Sequence, residues 1–522
     1  MFISIDRSSA QPVYQQIRDG IVALIKANTL LPGDKLPSSR ELASQLGVSR
    51  KTVLQSYLEL AADNWVETRP GSCTYVLDRA ALTGVSYLPA YSSVEKPPSP
   101  GEPDDSAEPA AHMDWEPYQI DGRYFRMPPY SSQWKGEEEW VNFSRAIPDA
   151  RLFPFDRIKK VSSHMLWDPK AYFFDYGHPQ GFMPLLEYLE MRLAKEGVLL
   201  PEGQTDLVIC SGFQVSLNLL LTLLIRPGEL VAVEDPTFNS ILNILSARGI
   251  AHRGIPMEHD GMDVDYLERV LARDKPRLII TIPDLHNPTG VNMSRAKRER
   301  VLELAQRYGV PVIEDQWGML LGHDGKAEPS LQALDRGGHV IQIGSFSKSF
   351  LPGTRVAWVV LPGALGPTFV KAKRAMDRSD SYFMQTLVHE FIKKGFMELH
   401  WRKVERIYRG RRELMDELMR QHFPSEVSWK TPSGGFSYWV NLPRWLDSMQ
   451  LLKRAVSHGV EFAPGSYFNV GRRASSDLRL AFSTLTQPQL RQGVRRLGAV
   501  ITAAISEEQP PASGRDRKRG GK

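Results

Sequence analysis

Residues 343–358, IGSFSKSFLPGTRVAW, decide how the larger part of this chain is read. An apolar run, HVIQIG, ends in a serine-flanked turn that carries Lys348, and Arg355 follows seven residues later. A lone lysine is nearly always a solvated surface charge. A lysine at the end of a buried strand, close to other cations, loses its proton more readily and can attack a carbonyl to form an imine. The surrounding pattern favours the buried setting. LVAVED, RLIITIP, PVIED and HVIQIG read as strands covered on both faces, and amphipathic helices alternate with them from about residue 139 to 505. That alternation predicts a parallel α/β sheet.

Four further segments fall at strand ends in this region. SGFQ, Ser211 to Gln214, joins the strand LVIC to an apolar helix, and backbone N–H groups at such a helix start form a phosphate site. In EDPTFNS, Phe238 follows a strand and could stack on a flat ring; a lone Phe is more often core. PDLHNPTG places the Asn287 amide in a turn, within reach of a ring hydroxyl, although NPTG needs no function to be a turn. In PVIEDQWG, Asp315 closes a strand where its carboxylate could hold a proton on a heteroaromatic nitrogen; the plainer reading is a solvated acid.

The N-terminal residues 1–78 form a separate unit. Pro12 to Ala27 places Val13, Ile17, Ile21, Leu24 and Ile25 on one helical face. Ser38-Ser39 can cap a helix through Gln45, Gly47 fits a tight turn, and Ser49 caps a second helix carrying Val53, Tyr57 and Leu60. Trp65–Glu67 and Thr74–Val76 read as two strands joined at Pro70-Gly71, giving a helix, a helix-turn-helix and a β-wing. Residues 79–138 are rich in Pro, Ser and acids and cannot bury a core, which predicts a linker; 506–522, with RDRKRGGK, reads as a disordered basic tail.

The 522-residue length corresponds to about three or four domain-sized units. A composition of 42% hydrophobic and 24% charged residues excludes a mainly disordered or fibrous chain. The net charge of +5 is mild and by itself implies no nucleic acid. Two cysteines, Cys73 and Cys210, exclude a disulfide framework and a four-cysteine zinc site; no metal-ligand spacing or phosphate-loop lysine motif is present, and a reducing cytoplasm fits. The uncharged run Leu207–Ile225 is broken at Ser211-Gly212 and reads as strand–turn–helix, not as a membrane span. No leader pattern opens the chain.

LPGDKLPSSRELASQLGVSRKTV with its wing resembles the winged helix-turn-helix of the GntR class of bacterial transcription regulators. The resemblance implies that Arg40, Ser49, Arg50, Lys51 and Thr52 meet double-stranded DNA, with Arg69 and Gly71 in the wing. The later segments, together with YGHPQG, GGF, APGSYF and LRLAFS, resemble a fold type I aminotransferase that uses pyridoxal 5′-phosphate (PLP). By that resemblance Lys348 forms a Schiff base with PLP and Asp315 pairs with its ring nitrogen. Asn287 bonds the ring hydroxyl and Phe238 stacks on the ring, while Gly212, Phe213, Gln214, Ser345 and Arg355 hold the phosphate. Arg479 takes an effector carboxylate, and Tyr176 borders the site, from the partner subunit where the domains pair. Two residues depart from the pattern: Trp317 stands where a tyrosine is usual, and Phe213 is bulkier than the small residue expected.

The combination resembles the MocR family of regulators. It implies a domain-swapped homodimer on repeated DNA half-sites, an amine or amino-acid effector, and RNA polymerase as a further partner. The rival readings are a working aminotransferase carrying a DNA-binding domain, a sensor of PLP itself, and a DNA-binding protein with a vestigial large domain.

Overall fold

The computed structural model describes residues 5–6, 9, 11–26, 30, 34–63, 65–68, 74–77, 139–167, 176–200, 206–318 and 328–508. The wing residues Arg69 and Gly71, the linker and the basic tail beyond 508 lie outside these. The chain divides into two compact units rather than three or four, because the whole α/β region is a single body.

In the N-terminal unit, the helices Val13–Lys26, Ser39–Leu46 and Arg50–Ala62 precede the antiparallel strands Val66–Thr68 and Thr74–Val76. The Ser38 hydroxyl accepts from the Glu41 N–H while Glu41 reaches back to the Ser38 N–H, a reciprocal capping box. Gly47 closes that helix at φ +62°, a left-handed conformation that costs glycine nothing. Ser49 caps the next helix by accepting from the Thr52 N–H. Ile17, Ile21, Leu42, Val53, Tyr57, Leu60, Val66 and Val76 make the core, and Tyr57 donates to the Pro37 carbonyl at 2.7 Å.

The second unit is built on an eight-stranded sheet. Its strand order is Leu207–Cys210, Ala357–Val360, Val340–Ser345, Val312–Gln316, Leu278–Thr281, Leu230–Asp235, Ala251–Glu258 and Gly261–Met262. The sheet is mixed, not purely parallel: Ala357–Val360 runs antiparallel to both neighbours, and Gly261–Met262 runs antiparallel to Ala251–Glu258. The reason is local. The segment between Ser345 and Ala357 holds no crossover helix, so the chain turns back beside the strand it has just left. That return loop carries both Lys348 and Arg355.

On one face of the sheet, Val233, Ile280, Ile313 and Ile341 pack against the helices Phe213–Leu224 and Asn239–Ala247. On the other, Ala232, Ile279, Val312 and Val340 pack against Val264–Asp274 and Arg295–Tyr308. A smaller antiparallel sheet, ordered Ser428–Trp429, Ser437–Asn441, Asp477–Ala481 and Ala463–Pro464, is covered by the helices Phe396–His422 and Gln487–Glu508. The last helix continues past the expected boundary at 505. Among the described residues, no helix is long and apolar enough to cross a membrane.

Candidate functional site

The segments that follow the strands Leu207–Cys210, Leu230–Asp235, Leu278–Thr281, Val312–Gln316 and Val340–Ser345 line a cavity of about 210 Å³, at the edge where open α/β sheets bind ligands. Its walls include Phe213, Gln214, Phe238, Asn287, Asp315, Ser345, Lys348 and Arg355. The strand-end segments singled out in the sequence are thus brought together.

Lys348 donates to the Ala146 carbonyl at 3.1 Å. Burial, helped by the positive charges of Arg479 and Arg355, pushes its ammonium down to about 8. Its neutral, nucleophilic form is therefore accessible at modest pH. Asp315 is 3% exposed, and burial pushes its carboxyl up to about 8 against a hydrogen bond from the Trp317 N–H. Such a group becomes a carboxylate once a cation arrives beside it.

At the other side of the cavity, Gly212 adopts φ +96° and begins the helix Phe213–Leu224. A Cβ at this position would collide with the Arg355 guanidinium, so only glycine lets the arginine lie against the turn. The helix start and Arg355 together offer N–H donors and positive charge of the kind that suits an anion. Ser345 accepts from the Ser347 N–H at 3.0 Å and lines the same end. Phe213 and Phe238 tilt toward each other with centroids 6.2 Å apart.

Asn287 sits in a turn closed by the Gly290 N–H to the His286 carbonyl and the His286 N–H to the Val291 carbonyl. Its Oδ1 accepts from Arg479 at 2.9 Å, which leaves the amide N–H groups as donors for the cavity. Arg479 is 7% exposed. It also donates to the Ser144 carbonyl at 2.7 Å and lies over the Phe468 ring, while its Nε has no partner. No carboxylate is within ion-pair distance among the described residues, and burial pushes the guanidinium down to about 10. Such a buried cation awaits an anion.

Tyr176 is not brought to this cavity within the chain. It is 61% exposed, with the Arg378 guanidinium 4.3 Å from its ring centre. In the N-terminal unit, Arg40, Ser49, Arg50 and Lys51 are exposed and Thr52 is half-buried. The Ser49 and Thr52 hydroxyls are 2.8 Å apart, and Arg50 reaches Ser39 at 3.3 Å.

Several cavity residues gain their place only from the fold. Trp317, which departs from the family pattern, has its Nε1 buried at the wall without a partner among the described residues. Ser347, in the same serine-flanked turn as Lys348, also has an unpartnered hydroxyl. Phe436 comes from the GGF motif, whereas Ala146 gives no sequence signal at all. His286, beside Asn287, approaches Glu234 at 3.1 Å through Nε2 and Thr289 at 2.7 Å through Nδ1.

Residues 152–497 match the family model for aminotransferase class I and II, and residues 13–76 match that for the gntR family of bacterial regulatory proteins. Aromatic-amino-acid aminotransferase 1 of Thermococcus litoralis is 30% identical over 370 residues, covering 69% of this chain and 88% of that protein. The probable rhizopine catabolism regulatory protein MocR of Rhizobium meliloti is 26% identical over 511 residues, 97% of each chain. Among solved structures, the α-aminoadipate aminotransferase LysN of Thermus thermophilus, complexed with N-(5′-phosphopyridoxyl)-L-leucine, superposes with a TM-score of 0.68 at 29% identity. It covers 76% of this chain and all of its own. This chain therefore belongs to the aminotransferase class I and II family and joins that fold type I domain to an N-terminal GntR-type helix-turn-helix, the domain combination of the MocR regulators.

Proposed function

We propose that this chain is a PLP-dependent transcription regulator whose aminotransferase-like cavity senses an amino acid or amine and whose winged domain binds DNA. The observation that carries this reading is the meeting of Lys348, Asp315, Asn287 and the Gly212–Arg355 anion site on one cavity, in a chain with a helix-turn-helix. The residues present fit PLP. The missing Cβ of Gly212 keeps an anion cradle open against Arg355, Asp315 is a buried acid with a single backbone donor, and Lys348 loses its proton near pH 8.

When bound, PLP supplies an aldehyde for imine formation and a pyridinium ring that withdraws electrons. Lys348 provides the amine. Asp315 would hold the proton on the ring nitrogen, and the Asn287 amide would donate to the ring oxygen. Gly212, Phe213 and Gln214, through backbone N–H groups, would act with Ser345 and Arg355 on the phosphate, and Phe238 would cover the ring. Arg479, cationic and without an acid, receives the carboxylate of an amino-acid effector through its planar donor fork. The Trp317 indole can donate to the cofactor oxygen but cannot accept from it.

In the DNA-binding unit, Arg40, Arg50, Lys51 and the Ser49–Thr52 helix start contact the duplex. Two copies of the chain, with Tyr176 bordering the partner's cavity, would place two winged domains on repeated half-sites. An effector switches transcription only by binding two arrangements of that dimer with different affinity.

A second reading, a working aminotransferase, is favoured by the retention of Lys348, Asp315, Asn287 and Arg479 together. The visible absorption of the protein with PLP separates the two as amino acids and amines are added singly. A band that shifts and persists supports a sensor; conversion to the pyridoxamine form supports the enzyme. A band that no amine perturbs supports a sensor of PLP itself, and the lack of any band removes the cofactor.

A further inference from the structure

Two leucines sit where a surface helix ordinarily carries polar residues. On the helix Arg50–Ala62, Leu54 is 41% exposed and Leu58 65%. Val53, Ser56, Tyr57 and Leu60 are buried and fix the inward face, so the opposite side presents Lys51, Gln55 and Leu58, with Arg50 and Leu54 stacked one turn apart along its flank. Leu54 thus projects one turn beyond Arg50 at the cationic start of the helix, where Lys51 is exposed too, as is Arg40, next in sequence to the Ser39 that Arg50 reaches. None of these three has an ion-pair partner among the described residues, and the neighbouring Glu41 is engaged in its capping box.

We propose that Leu54 is a specificity-determining residue that packs on the C5-methyl of a thymine in the major groove. The inference deepens the DNA-binding reading above and rests on it. The N-terminal residues of the second helix of such a motif meet base edges. A leucine has no donor or acceptor, and thymine is the base whose major-groove edge offers it a methyl group. The surrounding unpaired cations call for a polyanion as the occupant of this flank, rather than an apolar protein face. Leu58 lies a further turn along, about 6 Å farther from the helix start, and is placed outside the base contacts.

The test uses the full chain. Duplexes are selected from a random library, each thymine of the winning sequence is replaced singly by deoxyuridine, and affinity is read by fluorescence anisotropy. One position should lose about fourfold, the worth of one buried methyl-sized group. Leu54→Ala should bind the thymine duplex about as weakly as wild type binds that deoxyuridine duplex, and should not distinguish the two. Leu58→Ala should still distinguish them. A deoxyuridine penalty that survives in Leu54→Ala, or no penalty anywhere, overturns the assignment and leaves this flank to a protein partner. Failure of the library to yield any preferred sequence is a different result: it sinks the DNA-binding reading itself, and this inference with it.

Discussion

Glu314 and Asp315 are adjacent on one strand, both buried, and both carry a carboxyl raised by burial, yet they face opposite sides of the sheet. Glu314 accepts from the Leu331 and Gln332 N–H groups and from the Gln316 and Gln342 amides. Asp315 has the Trp317 N–H and then the cavity. The arginines repeat the contrast. Arg298 is fully buried and completely engaged, with Asp284 at 2.6 Å and carbonyls of Pro283, Met293 and Pro329. Arg479, almost as buried, holds two neutral oxygens and, among the described residues, no acid. Burial alone therefore does not mark function here. What separates the two faces is whether the charged group's partners are supplied by the chain itself.

The sharpest break would come at Lys348. Lys348→Ala should abolish the imine with PLP, read as loss of the visible band and of any borohydride-fixed adduct. An adduct retained on another lysine would detach the cavity from the cofactor. Next, the arginines should behave oppositely. Arg298→Gln leaves Asp284 buried without its cation and should cost about 3–5 kcal/mol in urea unfolding. Arg479→Gln should cost little, but it removes a charge that lowers the Lys348 amine. The pH midpoint for imine formation should therefore rise above that of the wild type. Equal destabilisation by both substitutions would erase the distinction.

The carboxylates give a smaller effect with a definite sign. Burial lets Asp315 hold its proton in the folded chain up to about pH 8, far above the ordinary carboxyl value of 3.8. Its contribution to stability is thus present in full below about pH 4 and lost as pH rises to about 8. Without PLP, Asp315→Asn should therefore gain stability relative to wild type across that window, while retaining PLP poorly. Glu314→Gln should lose about 1–3 kcal/mol by stranding backbone donors, with PLP retention intact. Thermal melts at several pH values and PLP dialysis check both.

The N-terminal unit extends the same comparison. Arg18 is paired with Asp19 and Glu59, whereas among the described residues Arg50 has only Ser39. Arg50→Ala should cost about 1–3 kcal/mol in specific DNA binding, and Arg18→Ala should leave specificity unchanged. Equal weakening on every sequence would assign Arg50 to phosphate.

Lys348, Asp315, Asn287 and the 211–214 turn were legible because each closes a run of buried strand residues, where a polar side chain has to be explained. The direction of Ala357–Val360 was not, since AWVV reads the same either way; the short return loop decided it. The polar layer behind the sheet was hidden for another reason. Arg298 lies in SRAKRERV, which looks like an ordinary charged helix face, and only the fold shows that this one arginine turns inward. Tyr176 could be placed by its motif but not within this chain's own cavity.

The most direct measurement is the affinity of the full chain for its selected duplex, with and without PLP and then with each amino acid, in wild type and in Lys348→Ala. PLP or one amine should change the wild-type affinity severalfold and leave Lys348→Ala unmoved. Identical affinities under all conditions in the wild type would contradict this, because the cavity and the winged domain would then share a chain without sharing a function.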